Sequence, residues 1–99
     1  MSEAYTIEQL KHVLVPIFQR NNIKSATLFG SYSKGQATAH SDVDLLVDSG
    51  LHGLAFFGLV DDVCESLNCD VDLIDIRDLI PNSHVAHEIR DTGVVIYER

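Results

Sequence analysis

Residues 42–48, Asp-Val-Asp-Leu-Leu-Val-Asp, alternate carboxylates with branched aliphatic side chains, and residues 70–76, Asp-Val-Asp-Leu-Ile-Asp-Ile, nearly repeat the pattern. A period of two sends successive side chains to opposite faces of a strand, so each stretch is predicted to be a strand. In the first, Val43, Leu45 and Val47 face a core while Asp42 and Asp44 project together on the other side. Their Cα atoms would stand about 6.5 Å apart. Like charges on one face repel, so folding gains nothing from this spacing unless a cation sits there. In the second stretch Val71 and Leu73, with Asp75, share a face, and Asp70, Asp72, Ile74 and Ile76 share the other.

The rest of the chain supplies elements to pack against these strands. Thr6-Ile7-Glu8-Gln9 fits a capping box, and Ile7, Leu10, Val13, Leu14, Ile17 and Phe18 follow at helical spacing. Pro16 removes a backbone donor and is expected to kink this helix, which Asn21-Asn22 ends. Ile23 to Phe29 reads as a strand running into Gly30-Ser31, and residues 35–41 as a polar loop. Gly53 to Leu67 returns to helical spacing at Phe56, Val60, Val63 and Leu67. Pro81-Asn82-Ser83 starts a short helix reaching about Asp91, and after Gly93 a last strand covers Val94 to Tyr97. The predicted order is α-β-β-α-β-α-β, a four-stranded mixed sheet with helices packed on it, of class α/β or α+β.

Ninety-nine residues, 45% of them hydrophobic, suit one domain over 1–99 with one modest core. The net charge of −8 argues against independent binding to a nucleic-acid backbone, which needs clustered Lys and Arg. No apolar run approaches the length of a membrane span and no signal-peptide pattern opens the chain, so a cytoplasmic protein is expected. Cys64 and Cys69 match no usual zinc spacing and read as reduced, partly buried thiols.

Two neighbours sharpen the meaning of the Asp42/Asp44 pair. Upstream, Gly30, Ser31 and Gly35 form a turn in which glycine lets the backbone approach a phosphate and a serine hydroxyl and free amides can hold its oxygens. Downstream, Asp72 lies in an apolar strand, where a charge is costly unless paired or metal-bound. Carboxylates on neighbouring strands beside a phosphate-holding turn are the equipment of metal-assisted phosphoryl or nucleotidyl transfer. A calcium EF-hand fails for want of its glycine and twelfth-position glutamate, and a Walker A loop for want of its lysine-serine pair. His84, His87 and Glu88 resemble a metal cluster only faintly and read as a solvated helix face, and His40 as a loop histidine. Of Phe56 and Phe57, one must face outward and suggests a partner surface.

Gly30-Ser31, Gly35 and Ser41-Asp42-Val43-Asp44-Leu45 together resemble the G-S-x(n)-D-x-D signature of the DNA polymerase β-like nucleotidyltransferases. The short length and element order resemble the minimal members, the MNT proteins. The resemblance implies that Gly30 and Ser31 hold the β- and γ-phosphates of ATP or another NTP. It implies that Asp42 and Asp44 bind two Mg²⁺ ions and that Asp72 is the third metal carboxylate and candidate base. Lys34 stands where relatives have a second arginine and would be a point charge for phosphate, while Tyr32 replaces the first. The resemblance further implies a partner, a HEPN-domain ribonuclease toxin bound in a hetero-oligomer. The chain would silence it as an antitoxin by transferring AMP to a tyrosine hydroxyl. Alternatives are a non-catalytic antitoxin that acts by occlusion, and a transferase acting on a small molecule.

Overall fold

The computed structural model describes residues 4–99. Helix α1 spans Ile7–Arg20, strands β1 and β2 span Ser25–Phe29 and Val43–Asp48, and helix α2 spans Leu54–Leu67. Strand β3 covers Val71–Asp75, a single 3-10 turn Ile76–Asp78, helix α3 His84–Thr92 and strand β4 Val94–Glu98. The predicted order of elements is therefore met.

The capping box forms as expected, with the Thr6 hydroxyl accepting from the Gln9 amide at 3.0 Å and the Gln9 side chain accepting from the Thr6 amide at 2.9 Å. The helix then runs on through Pro16 to Arg20, with Leu10, Leu14, Ile17 and Phe18 buried. Helix α2 buries Leu59 alongside the predicted Val63 and Leu67, while Phe56 is half-buried. Phe57 is the phenylalanine that faces outward.

The sheet order is β3-β2-β1-β4. Strand β1 pairs antiparallel with both β2 and β4, and β2 pairs parallel with β3, the two joined by the α2 crossover. A bulge on β4 places Tyr97 opposite Ala26 and Val95 opposite Thr27, which leaves Ile96 unpaired and buried.

The alternation seen in the sequence sorts the faces. Val43, Leu45 and Val47 are fully buried with Ala26 and Leu28 against α1 and α2, in one cluster with Leu10, Phe18 and Val63. Each such Leu, Val or Phe side chain contributes about 1.5–3 kcal/mol. On the opposite face, register aligns three rows: Ser25 with Asp48, then Thr27 with Leu46 and Ile74, then Phe29 with Asp44 and Asp72. Helix α3 lies over the middle row. Gly93 at its end stands so near Thr27 and the Ile89 carbonyl that any side chain there would collide, and Val85 borders the same apolar hollow as Ile74. The row containing Asp44 and Asp72 lies nearest the Gly30 turn.

Asp75 closes the far end of β3. Its carboxylate accepts from the Ser49 hydroxyl, from the Ser49 amide at 3.3 Å and from the Arg77 amide at 3.1 Å. Burial pushes this carboxyl up, but those hydrogen bonds and the Arg77 guanidinium outweigh it and hold the group below its ordinary value. A depressed carboxylate stabilises the fold above the unfolded value of 3.8 and loses that contribution as acid protonates it. Ser49→Ala is therefore expected to cost about 1–3 kcal/mol in urea unfolding at pH 7. The gap between variant and wild type should narrow in acid below the ordinary carboxylate range.

Candidate active site

The turn between β1 and β2 is shaped by Gly30, whose φ of +75° is a left-handed conformation that side chains disfavour. A Cβ at Gly30 would fall on the Asp44 carboxylate, so only glycine lets the turn close over that side chain. Residues 31–35 continue as turn. The Lys34 amide returns to the Gly30 carbonyl at 3.3 Å and the Ser33 hydroxyl donates to the same oxygen at 2.9 Å. Among the described residues the amides of residues 31–33 donate to no backbone carbonyl, as in the first turn of a helix.

Asp44 and Asp72 are partners in the parallel register, so their Cα atoms lie about 4.8 Å apart with side chains on the same face. Asp42 lies one residue before β2 and is exposed, as is Asp72, whereas Asp44 is half-buried beside Phe29 and Gly30. Burial, then the charges of Asp72, Asp42 and Glu88, raises the Asp44 pKa from 3.8 to about 6. Two of the predicted metal carboxylates therefore stand abreast, with the third close enough to act on Asp44. Among the described residues no three or more carboxylate, histidine or cysteine side chains gather into a group able by itself to hold a metal ion, so Asp42 does not close with Asp44 and Asp72 onto one point. A Mg²⁺ site does not need such a group, because it keeps waters and substrate phosphates in several positions. The donor set is all oxygen and its mutual repulsion is what a hard divalent cation relieves, so the residues fit that ion.

Lys34, the expected point charge for phosphate, has its ammonium held by Glu88 of α3 at 3.1 Å. Glu88 was read from the sequence as part of a solvated face. It is instead half-buried, while His84 and His87 on the same helix are exposed. Tyr32 turns away from the carboxylates into the core, 7% exposed, and its hydroxyl accepts from the Tyr5 amide at 3.4 Å. It therefore does not occupy the place an arginine would take beside phosphate. Asp48 lies at the other end of β2, two rows from Asp44, and Asp70 is exposed ahead of β3. Cys64 and Cys69 are free and half-buried. No helix among the described residues is long and apolar enough to cross a membrane.

Residues 12–99 match the family described as Polymerase beta, Nucleotidyltransferase. A Methanocaldococcus jannaschii protein with the provisional name protein adenylyltransferase MJ0128 is 32% identical over 97 residues, 92% of this chain and 98% of that protein. Protein adenylyltransferase MntA of Shewanella oneidensis is 34% identical over 76 residues, 72% of this chain and 55% of MntA. Among solved structures, a toxin-antitoxin complex crystallised with AMP-PNP contains a chain that superposes with a TM-score of 0.74 at 26% identity, over 90% of this chain and 73% of that one. A complex of a tri-AMPylated Shewanella oneidensis HEPN toxin with its MNT antitoxin shares the fold, with a TM-score of 0.69 at 23% identity over 95% and 74% of the two chains. With its strand order, its Gly-Ser turn and its aligned aspartates accounted for, the chain belongs to the polymerase beta nucleotidyltransferase family.

Proposed function

We propose that the chain transfers AMP from ATP to a hydroxyl group on a HEPN-type protein partner, releasing pyrophosphate, and so acts as an antitoxin. The observation that carries this reading is the Gly30 turn closed onto Asp44, with Asp72 abreast of it on the same face. The names of the relatives and the nature of the superposable complexes support the adenylyl group and the partner.

In this reading the turn amides and the Ser31 hydroxyl hold the triphosphate tail, with Lys34 as a further positive charge. Asp42 and Asp44 hold Mg²⁺, two ions in all, and Asp72 completes the set. When bound, Mg²⁺ neutralises phosphate charge and lowers the pKa of the attacking hydroxyl. The acceptor oxygen forms its bond to the α-phosphorus as the bond to the β-phosphate oxygen breaks, and Asp72, at the exposed edge, takes the hydroxyl proton. The acceptor proposed is a tyrosine presented on the partner's own surface. The compartment in this reading is the cytoplasm.

Incubation with α-labelled ATP, Mg²⁺ and a HEPN-type partner protein is expected to label that protein. Absence of label from all four NTPs, with both proteins folded, would sink the transferase reading. A second reading, silencing by occlusion, draws on Leu54, 89% exposed, and Phe57, 63% exposed, one turn apart on α2. It predicts that neutralisation survives loss of the carboxylates.

A further inference from the structure

Lys34 and Glu88 come from separate elements, the turn after β1 and the middle of α3, and meet at 3.1 Å; the Lys34 amide is bonded to the carbonyl of Gly30, the residue that packs on the Asp44 carboxylate. Helix α3 is fixed to the sheet at its end, where Gly93 packs against Thr27 of β1. The Glu88 side chain is 19% exposed and Lys34 37%, so the ammonium is tethered on one side and open on the other. Glu88 offers its second oxygen to His84 at 3.8 Å. Its charge also reaches Asp44.

We propose that Glu88 is a positioning residue that holds the Lys34 ammonium at the open end of the carboxylate face, where its remaining donors meet the phosphates of the nucleotide. This rests on the nucleotide-binding reading above and adds to it a residue that the signature does not contain. An ammonium carries three donors, and Glu88 takes one. A lysine has long rotamer freedom, and a lysine without a partner beside Asp42, Asp44 and Asp72 would fall onto those carboxylates and neutralise the groups a cation needs. Glu88 keeps Lys34 off Asp44 and in reach of phosphate. The pair thereby separates the cation for phosphate from the anions for metal.

The test is equilibrium binding of magnesium AMP-PNP to the 99-residue chain and to Lys34→Ala, Glu88→Ala, Glu88→Gln and the Lys34→Ala/Glu88→Ala double variant. Lys34→Ala is expected to weaken binding about tenfold, the loss of one charge-assisted contact to phosphate. Glu88→Ala should weaken it several-fold, and Glu88→Gln, which keeps an acceptor for Lys34, by less. The double variant should bind as Lys34→Ala does, because Glu88 acts through Lys34. Losses that multiply in the double variant overturn the proposal and mark Glu88 as a brace for α3 alone. Binding by Glu88→Ala as tight as wild type, or tighter, overturns it too. Wild-type chain that binds no nucleotide overturns this inference together with the functional reading, whereas binding without effect of Glu88→Ala removes the inference alone.

Discussion

Joint replacement of Asp42 and Asp44 by asparagine is expected to lower AMP transfer by about 10³-fold or more, since several kcal/mol of transition-state stabilisation goes with the metal. The same change should make the metal-free protein harder to unfold. Asp44 carries a pKa raised to about 6, caused first by burial and then by Asp72, Asp42 and Glu88. A carboxyl raised on folding contributes stability that is fully present below its unfolded value of 3.8 and is lost as pH rises through about 6. At pH 7.5 the wild type thus folds against its own charge, and the amides do not. Thermal melts in chelator should give the variant the higher midpoint at pH 7.5 and little advantage at pH 4. Added Mg²⁺ should raise the wild-type midpoint at pH 7.5 and leave that of the variant unmoved. Retained transfer above a tenth of wild type would remove these residues from the metal site. Retained neutralisation with transfer lost would favour silencing by occlusion.

That trade of stability for charge is the one thing the sequence displays openly. Alternation at 42–48 and 70–76 shows which side chains point to the core, because a strand has a period of two whatever it packs against. The Thr6 cap is equally local, its partners lying three residues apart. What could not be read is what depends on neighbours distant in the chain. The order β3-β2-β1-β4 places Asp44 abreast of Asp72, 28 positions on, and no periodicity encodes that pairing. Asp75 lies in the same acidic run as Asp72 but is claimed by Ser49, across the sheet, as a structural anchor. Glu88 looks like a surface acid on a polar helix, because its partner Lys34 belongs to a turn 54 positions earlier. Tyr32 stands where an arginine is expected, and its apolar ring takes it into the core instead of toward phosphate. In the proposed function the phosphate half of the site then depends on backbone amides, Ser31 and Lys34, which raises the importance of the turn itself.

Gly30→Ala tests that turn and should damage both stability and transfer. Two costs coincide there. The φ of +75° penalises any side chain, by about 1–3 kcal/mol, and the new Cβ would occupy the position of the Asp44 carboxylate. Asp44 must then rotate away from Asp72, and a displacement on the order of 1 Å at a reacting centre costs about 10²-fold in rate. The control is Gly50→Ala. Gly50 also has a positive φ, +69°, but nothing lies within 4 Å of a Cβ placed there. Both variants should lose comparable stability to backbone strain in urea melts, and Gly30→Ala somewhat more. Only Gly30→Ala should lose transfer at saturating ATP, because only there does strain reach Asp44, a proposed metal ligand. A Gly30→Ala protein that melts like Gly50→Ala and transfers AMP as well as it does would show that the turn need not close on Asp44. The contact between phosphate half and metal half would then be a packing detail, and the aspartates would work without it.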